Sequence, residues 1–552
     1  MRNVKNIFVL IVIIAAVTTA AIWWILQANP DGQNFSASII DAIAGPPNIT
    51  AIKAGVVSHH LLAENIIINF YEKVGNKDVS TVYLLSPDHF NNYFEPDVVA
   101  YVSSRDWDTP YGKLSADTNI INKLSDLPEI ETKDQVLMLD HGITVEIPFI
   151  KRFFPNAKVV PLILKNNSDF ENFYALGEKL KEFSGENTIL IVSSDFSHDA
   201  PSLQAKTSDR KSIAVLKNLS SGNFIQNTSD CKQCFASLSG FLKNYDTGFY
   251  LLDNKNSFNI SGESENSVTS YVTGYYAKKN YTEILFVGDI MFDRGIRYFA
   301  NKNNGNNFIF DKIYPELLNK DLVVANLEGP ITNSNSVSIE TEPEEADNFL
   351  FTFDPSVAQT LFDNNIKIVN LGNNHILNFG EEGLKSTQNY LDQANVSYFG
   401  DPSGNISATK TIHNVKIAFV GYNEFLGDNQ KQVVDEINKL KTEVDIVVIS
   451  CHWGAEYMPS PTETQKDLAH LFIDSGADLL IGSHPHVTQP MEEYKGKRIY
   501  YSLGNFIFDQ YFSEETTEGL GVTLKINSQT KELSFQEIKF NLQPNGQTII
   551  TN

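Results

Sequence analysis

The sequence predicts an α/β chain of two domains behind an N-terminal hydrophobic helix. Three observations carry this. The 552 residues exceed what one hydrophobic core ordinarily serves. Apolar runs of strand length alternate with helical patterns through both halves. An uncharged run near the N-terminus, Ile7 to Leu26, has the length of a membrane-spanning helix.

Taken in order, Arg2 and Lys5 precede that run, whose only polar side chains are Thr18 and Thr19. Basic residues on its short side place the segment's start in the cytoplasm and everything after Leu26 outside. A cleaved signal peptide is the competing reading. The length of the run and the interfacial pair Trp23 and Trp24 favour an uncleaved anchor. The expected division is therefore an anchor over 1–27, a linker over 28–47, one domain over 48–280 and another over 282–547. In the first domain, AENIIINFYEKV reads as an amphipathic helix. STVYLLSPDHF and NTILIVSSDFSH read as strands running into polar turns, and SYVTGYYA as a short aromatic strand.

Composition narrows the function. A hydrophobic content of 42% with 20% charged residues is that of a globular protein, and the net charge of -24 argues against nucleic acid or an anionic membrane surface as partner. Three cysteines, Cys231, Cys234 and Cys451, are too few for a disulfide scaffold. Cys231 and Cys234 form a CxxC that would suit either a local disulfide or a thiolate ligand.

The second domain holds the strongest pattern. Six runs end in polar clusters: EILFVGDIM, DLVVANLEG, IKIVNLGNNH, VDIVVISCHWG, ADLLIGSHPH and RIYYSLGNF. Ligands of open α/β sheets bind beyond the carboxyl ends of the strands. Asp289, Glu328, Asn374, His375, His452, His484 and His486 would converge there. Carboxylate, amide and imidazole are donors for zinc, manganese or iron. Gly288, Gly372 and Gly482 beside them suggest sharp backbone turns.

GDIMFDR, ANLEGPI, GNNHILNFG, CHWGAEY, GSHPHVTQP and SLGNFIFD, in this order, resemble the CapA family of capsule and poly-γ-glutamate biosynthesis proteins, of the calcineurin-like metallophosphoesterase fold. The resemblance implies a metallophosphoesterase-like α/β sandwich with two divalent ions. Asp289 would serve the first ion and Glu328 the bridge. Asn374, His452 and His484 would serve the second, and His486 would return to the first. His375 would be the general acid, and Trp453, Glu456 and Tyr457 would line the pocket. The superfamily's usual Asp-x-His opening is broken, because Met291 stands where the His belongs.

GVVSHHLLA, LLSPDHF, LDHGITVEIPFI, VSSDFSHDA and QCFASLSGFL resemble the Memo family, also known as AmmeMemoRadiSam system protein B, whose fold is similar to extradiol dioxygenases. The resemblance implies His59, His89 and Cys234 as ligands of one iron or copper ion, with His141, Asp195 and His198 in the same pocket and His60 as a neighbour. Ser58, His60-Leu61 and Thr144 depart from its pattern. Three functions follow as expectations. The first is a surface-anchored metal-dependent hydrolase of a capsule or cell-envelope polymer. The second is a non-catalytic, metal-bearing factor that binds such a polymer. The third is a redox enzyme centred on the first domain.

Overall fold

The computed structural model describes residues 52–551, apart from 91–96, 167–168, 218, 220–223, 225–226, 246, 339–347 and 428. The expected membrane helix over 7–26 and the linker lie outside the described residues. Among the described residues, no helix is long and apolar enough to cross a membrane.

The first half is built on one eight-stranded sheet. Its order is Ile130–Thr132, Ala100–Val102, Lys158–Leu164, Thr81–Pro87, Thr188–Ser193, Ile52–Val57, Ser270–Lys278 and Thr247–Asn256. The four central strands, from Lys158–Leu164 to Ile52–Val57, are parallel; Ser270–Lys278 pairs antiparallel with Ile52–Val57, and Thr247–Asn256 antiparallel with Ser270–Lys278. Apolar side chains such as Leu84 and Leu85 alternate between the faces, and both faces are covered. Helix Glu64–Val74 covers one of them with Ile66, Ile67, Phe70, Tyr71 and Val74, a 3–4 residue spacing that gives a single apolar stripe. Each such fully buried side chain stabilises the fold by roughly 1.5–3 kcal/mol.

The second half is a sandwich of two sheets. One contains Ser397–Phe399, Ile366–Asn370, Leu322–Leu327, Tyr281–Ile290, Glu518–Asn527, Leu533–Leu542 and Thr548–Thr551, with Asn505–Ile507 also paired to Tyr281–Ile290. The other runs Ser407–Ile412, Val415–Asn423, Ile446–His452, Leu479–Ser483, Lys497–Tyr500 and Met491–Tyr494. Ile284, Phe286, Val324 and Ile368 of the first sheet bury against Ile417, Phe419, Val448 and Ile481 of the second. The six polar-ended runs are therefore shared, three in each sheet, rather than set along one edge.

The halves are packed together. Tyr314 and Leu318, from the second half, join the core of the first. Arg210 of helix Ser202–Lys217 is buried against Asn307, Asp311 and Asn364.

Candidate metal centres

In the C-terminal half the strand ends deliver the expected residues to one buried place. Asp289 ends strand Tyr281–Ile290, Glu328 follows Leu322–Leu327, His452 ends Ile446–His452, and His484 follows Leu479–Ser483. Two groups of donor atoms result, Asp289–Glu328–His486 and Glu328–His452–His484, each with its atoms within 4.8 Å of one another. Glu328 belongs to both. Asn374 joins the second group, its Oδ1 2.9 Å from His452 Nε2.

Two features of the backbone make this convergence possible. His484 and His486 have φ of 95° and 58°, left-handed conformations that cost non-glycine residues of order 1–3 kcal/mol and that cluster at functional sites. Gly288 and Gly482 are not turn residues, contrary to the sequence expectation. A Cβ on Gly288 would lie 1.8 Å from the Gly504 oxygen, and one on Gly482 would lie 1.9 Å from the Tyr501 oxygen. Glycine here lets neighbouring chain lie flat against the strand ends.

Polar partners orient the donors. Asn326, which the sequence reading did not single out, donates from Nδ2 to Asp289 Oδ1 at 2.8 Å and reaches His452 Nδ1 at 3.3 Å. The His484 amide donates to Asp289 Oδ2 at 3.1 Å. His452 Nδ1 also meets Ser483 Oγ at 3.0 Å, and His486 Nδ1 meets Asn505 Oδ1 at 3.0 Å. Among the described residues, no hydrogen-bond partner reaches either oxygen of the fully buried Glu328, or Nδ1 of His484.

The electrostatics call for cations. Burial, and then the neighbouring Asp289, push the Glu328 carboxyl well above the usual carboxylate range. Burial holds His452 well below the ordinary imidazole value and takes His484 down to about 4, so both rings are neutral. For His486, burial opposes protonation, but Glu328 and Asp289 outweigh it and raise the ring to about 9. The Glu328 carboxyl with its unpartnered oxygens, beside Asp289 and facing the neutral imidazoles of His452 and His484, fits divalent metal ions.

His375 stands at the edge of this cluster, Nε2 3.9 Å from Glu328 Oε1, with Nδ1 3.2 Å from Asn378 Oδ1. Phe351 packs on its ring at 4.4 Å. Met291 is wholly buried in the core, and its sulfur accepts from the Asp293 amide, so it brings no ligand to Asp289. Trp453 does not line the pocket. It is fully buried among core side chains and donates to the Tyr501 carbonyl at 3.0 Å. Glu456 and Tyr457 are exposed, with the Tyr457 ring 6.2 Å from that of His486.

The N-terminal pocket also forms at strand ends. His59 follows Ile52–Val57, His89 follows Thr81–Pro87 and Asp195 follows Thr188–Ser193. His59, His89 and His141 bring donor atoms within 4.8 Å of one another. Asp195 is buried and accepts from the Ser58 hydroxyl, while His198 lies at the rim. His60 turns away onto the Tyr271 ring. The expected ligand Cys234 is not in the cluster as a thiolate. It is disulfide-bonded to Cys231 and packed in the core, so its sulfur has no charge to offer an ion. Asp230, which the sequence reading passed over, faces His59, His89 and His198 instead.

The fold and the sites together define a two-domain α/β protein with a histidine–carboxylate cluster at the strand ends of each domain. Residues 33–275 match the family described as Memo-like protein, and residues 283–510 match the bacterial capsule synthesis protein family PGA_cap. The chain thus carries a Memo-like domain followed by a PGA_cap capsule-synthesis domain. It is 33% identical over 245 residues to the PGA biosynthesis protein CapA of Bacillus subtilis, covering 41% of this chain and 63% of that protein. It is 30% identical over 247 residues to the capsule biosynthesis protein CapA of Bacillus anthracis, covering 41% and 59%. A MEMO1 family protein of Aquifex aeolicus is 29% identical over 144 residues, covering 25% and 51%. The chain thus spans between 51% and 63% of the length of these relatives.

Proposed function

We propose that this protein is a membrane-anchored, extracytoplasmic factor of capsule or cell-envelope polymer metabolism, acting on a polymer of the poly-γ-glutamate class. We propose further that its C-terminal cleft is a metal-dependent hydrolase. The observation that carries the hydrolytic reading is Glu328, whose unpartnered, buried carboxylate belongs to both donor groups. A carboxyl shared by two donor groups supports a bridge between two ions. Asp289 and His486 would hold one ion, and Asn374, His452 and His484 the other. Two such ions would supply electrophilic activation of the scissile group and a lowered pKa for the attacking water.

The chain's own residues do the rest. His375 donates from Nδ1 to Asn378 Oδ1, and as an imidazolium it would give the leaving group the proton on Nε2, which faces the cluster. Burial lowers the ring's pKa, so that proton is readily given up. Phe351 fixes the ring's plane and keeps bulk water off that face. Arg2, Lys5 and the apolar run to Leu26 support the anchor, and the Cys231–Cys234 disulfide suits an oxidising compartment outside the cytoplasm.

One observation favours a second reading, a metal-bearing polymer-binding factor without turnover. Met291 leaves the Asp289 ion with three protein donors, Asp289, Glu328 and His486. The redox reading centred on the Memo-like domain required Cys234 as a ligand, and the disulfide removes that support.

The test is to load the protein with manganese, zinc or iron(II) and incubate it with phosphoesters and with poly-γ-glutamate. Metal-dependent cleavage abolished by His484→Ala supports the hydrolase. Polymer retained without cleavage, and released by chelator, supports the binding factor. Neither outcome in any metal form would sink both.

A further inference from the structure

The Memo-like pocket departs from the donor set its family resemblance implies. We propose that Asp230, not a cysteine, is the anionic ligand of a metal centre here, acting with Nε2 of His59 and Nε2 of His89. Three imidazoles converge on one carboxylate oxygen. Asp230 Oδ2 lies 3.4 Å from His59 Nε2, 3.8 Å from His89 Nε2 and 3.7 Å from His198 Nε2. Donors held about 2.1 Å from one ion stand about 3.4 Å apart in a tetrahedral array. The 3.4 Å between Asp230 Oδ2 and His59 Nε2 already matches that spacing, and the 3.8 Å to His89 Nε2 exceeds it by a few tenths of an ångström.

The surroundings of each donor leave the right atom free. His89 Nδ1 hydrogen-bonds Asp140 Oδ1 at 2.8 Å, and His59 Nδ1 meets Ser193 Oγ at 3.1 Å. Both rings are thereby turned so that Nε2 faces inward, the outer-sphere arrangement that orients metal-binding histidines. Nε2 of His89 is itself buried without a hydrogen-bond partner among the described residues. Asp230 Oδ1 accepts the Ser194 hydroxyl at 2.7 Å, while the Asp230 amide donates to the Asp195 carbonyl at 3.0 Å. Those bonds aim Oδ2 at the imidazoles. The Asp195 amide also reaches Oδ2, at 3.3 Å.

Sequence position explains the exchange. Asp230 immediately precedes Cys231, so the disulfide to Cys234 anchors the start of helix Lys232–Leu242 in the core and leaves Asp230 at the pocket wall. Two imidazoles and a carboxylate form a harder donor set than two imidazoles and a thiolate. The set suits iron(II), zinc or manganese rather than copper(I). His141, its ring centroid 3.8 Å from that of His89, stands beside it at the open side of the pocket.

The test uses the full chain, loaded with cobalt(II) or zinc by equilibrium dialysis and assayed by elemental analysis. Asp230→Ala, Asp230→Asn, His59→Ala and the double variant Cys231→Ser/Cys234→Ser are compared with the parent, and circular dichroism establishes that each is folded. Asp230→Asn preserves the side chain's shape should the alanine variant misfold. The expected result is loss of one metal equivalent in both Asp230 variants, as in His59→Ala. The cysteine variant should retain that equivalent, and cobalt(II) protein should show no thiolate charge-transfer band. Parental stoichiometry in Asp230→Asn, or a thiolate band in the parent, overturns the proposal. So does a His59→Ala variant that loses no metal, because the pocket would then hold Asp230 only as a counter-ion to histidines.

Discussion

Asn374 Oδ1 and His452 Nε2 lie 2.9 Å apart, although 78 residues of chain and two different sheets separate them. The amide oxygen carries only lone pairs, and burial keeps the imidazole neutral. Removing His484 or Asp289 should therefore lower bound metal, since each takes a donor from one of the groups sharing Glu328. Replacing His375 with Asn should leave metal bound while slowing hydrolysis by roughly 10²–10⁴-fold, the usual worth of a general acid. Elemental analysis beside turnover separates the two effects. Equal metal loss in the His375 and His484 variants would remove the general-acid role.

Asn326 makes a second case. Its Nδ2 touches both Asp289 and His452, and its Oδ1 accepts from Asn370 at 3.2 Å and Asn373 at 3.3 Å. It therefore ties Asp289 of one sheet to His452 of the other. Asn326→Ala should weaken metal binding by about 10–100-fold, the range for outer-sphere partners. A competitive chelator titration reads this directly. An unchanged affinity would mean that the strand ends alone hold the geometry.

These two residues show where reading the sequence stops. Asp289, Glu328, His452 and His484 were legible because each closes an apolar run, and the strand pattern is local. Asn326 lies inside a run, one residue before its end, and nothing nearby says that it faces another sheet. Asp230 sits in a polar stretch, SDCKQC, where an acidic residue has no distinguishing context. Its role depends on which way Cys231 and Cys234 resolve, and the CxxC spacing allows either a disulfide or a ligand. Trp453 follows His452 directly, but it is buried in the core and donates to the Tyr501 carbonyl. The glycines are plain in the sequence, but close approach by a neighbouring strand cannot be told from a turn without that strand in place.

Glu146 makes stability depend on pH. It is wholly buried, with Oε2 accepting the Tyr71 hydroxyl at 2.6 Å. Burial lifts its carboxyl to about 8, and the Tyr71 bond and His59 offset only part of that. The unfolded chain's glutamate titrates near about 4.3. Between those values the folded protein holds the proton more tightly. The contribution is therefore fully present below the unfolded pKa and is lost as pH rises towards about 8, by up to about 1.4 kcal/mol per pH unit. Glu146→Gln keeps a partner for Tyr71 and carries no titrating proton. Urea midpoints of chelator-treated protein should fall with pH across the neutral range more steeply for the parent than for this variant. Parallel curves would place the carboxyl's titration elsewhere.

Arg210 joins the two domains. It is 1% exposed, and its Nη1 donates to Asn307 Oδ1 at 2.7 Å and to Asn364 Oδ1. Its Nη2 donates to Asp311 Oδ1 at 2.9 Å, and the guanidinium lies 4.1 Å from the centre of the Tyr314 ring. Breaking a buried pair from one side typically costs about 3–5 kcal/mol. Here the loss should be smaller, about 2–4 kcal/mol, because Asp311 keeps an ion pair with Lys206 at 2.7 Å, and Asn364 keeps its bond to Asn307 at 2.9 Å. Arg210→Ala removes the charge and the stacking together, whereas Arg210→Met retains apolar bulk over Tyr314. Calorimetry should show the alanine variant unfolding in two separated transitions where the parent shows one, with the methionine variant between them. Tyr314 and Leu318 are the reason to expect a partial rather than complete separation, since they stay inserted in the first domain's core. A single transition at the parental temperature in Arg210→Ala would mean that this apolar insertion alone couples the domains.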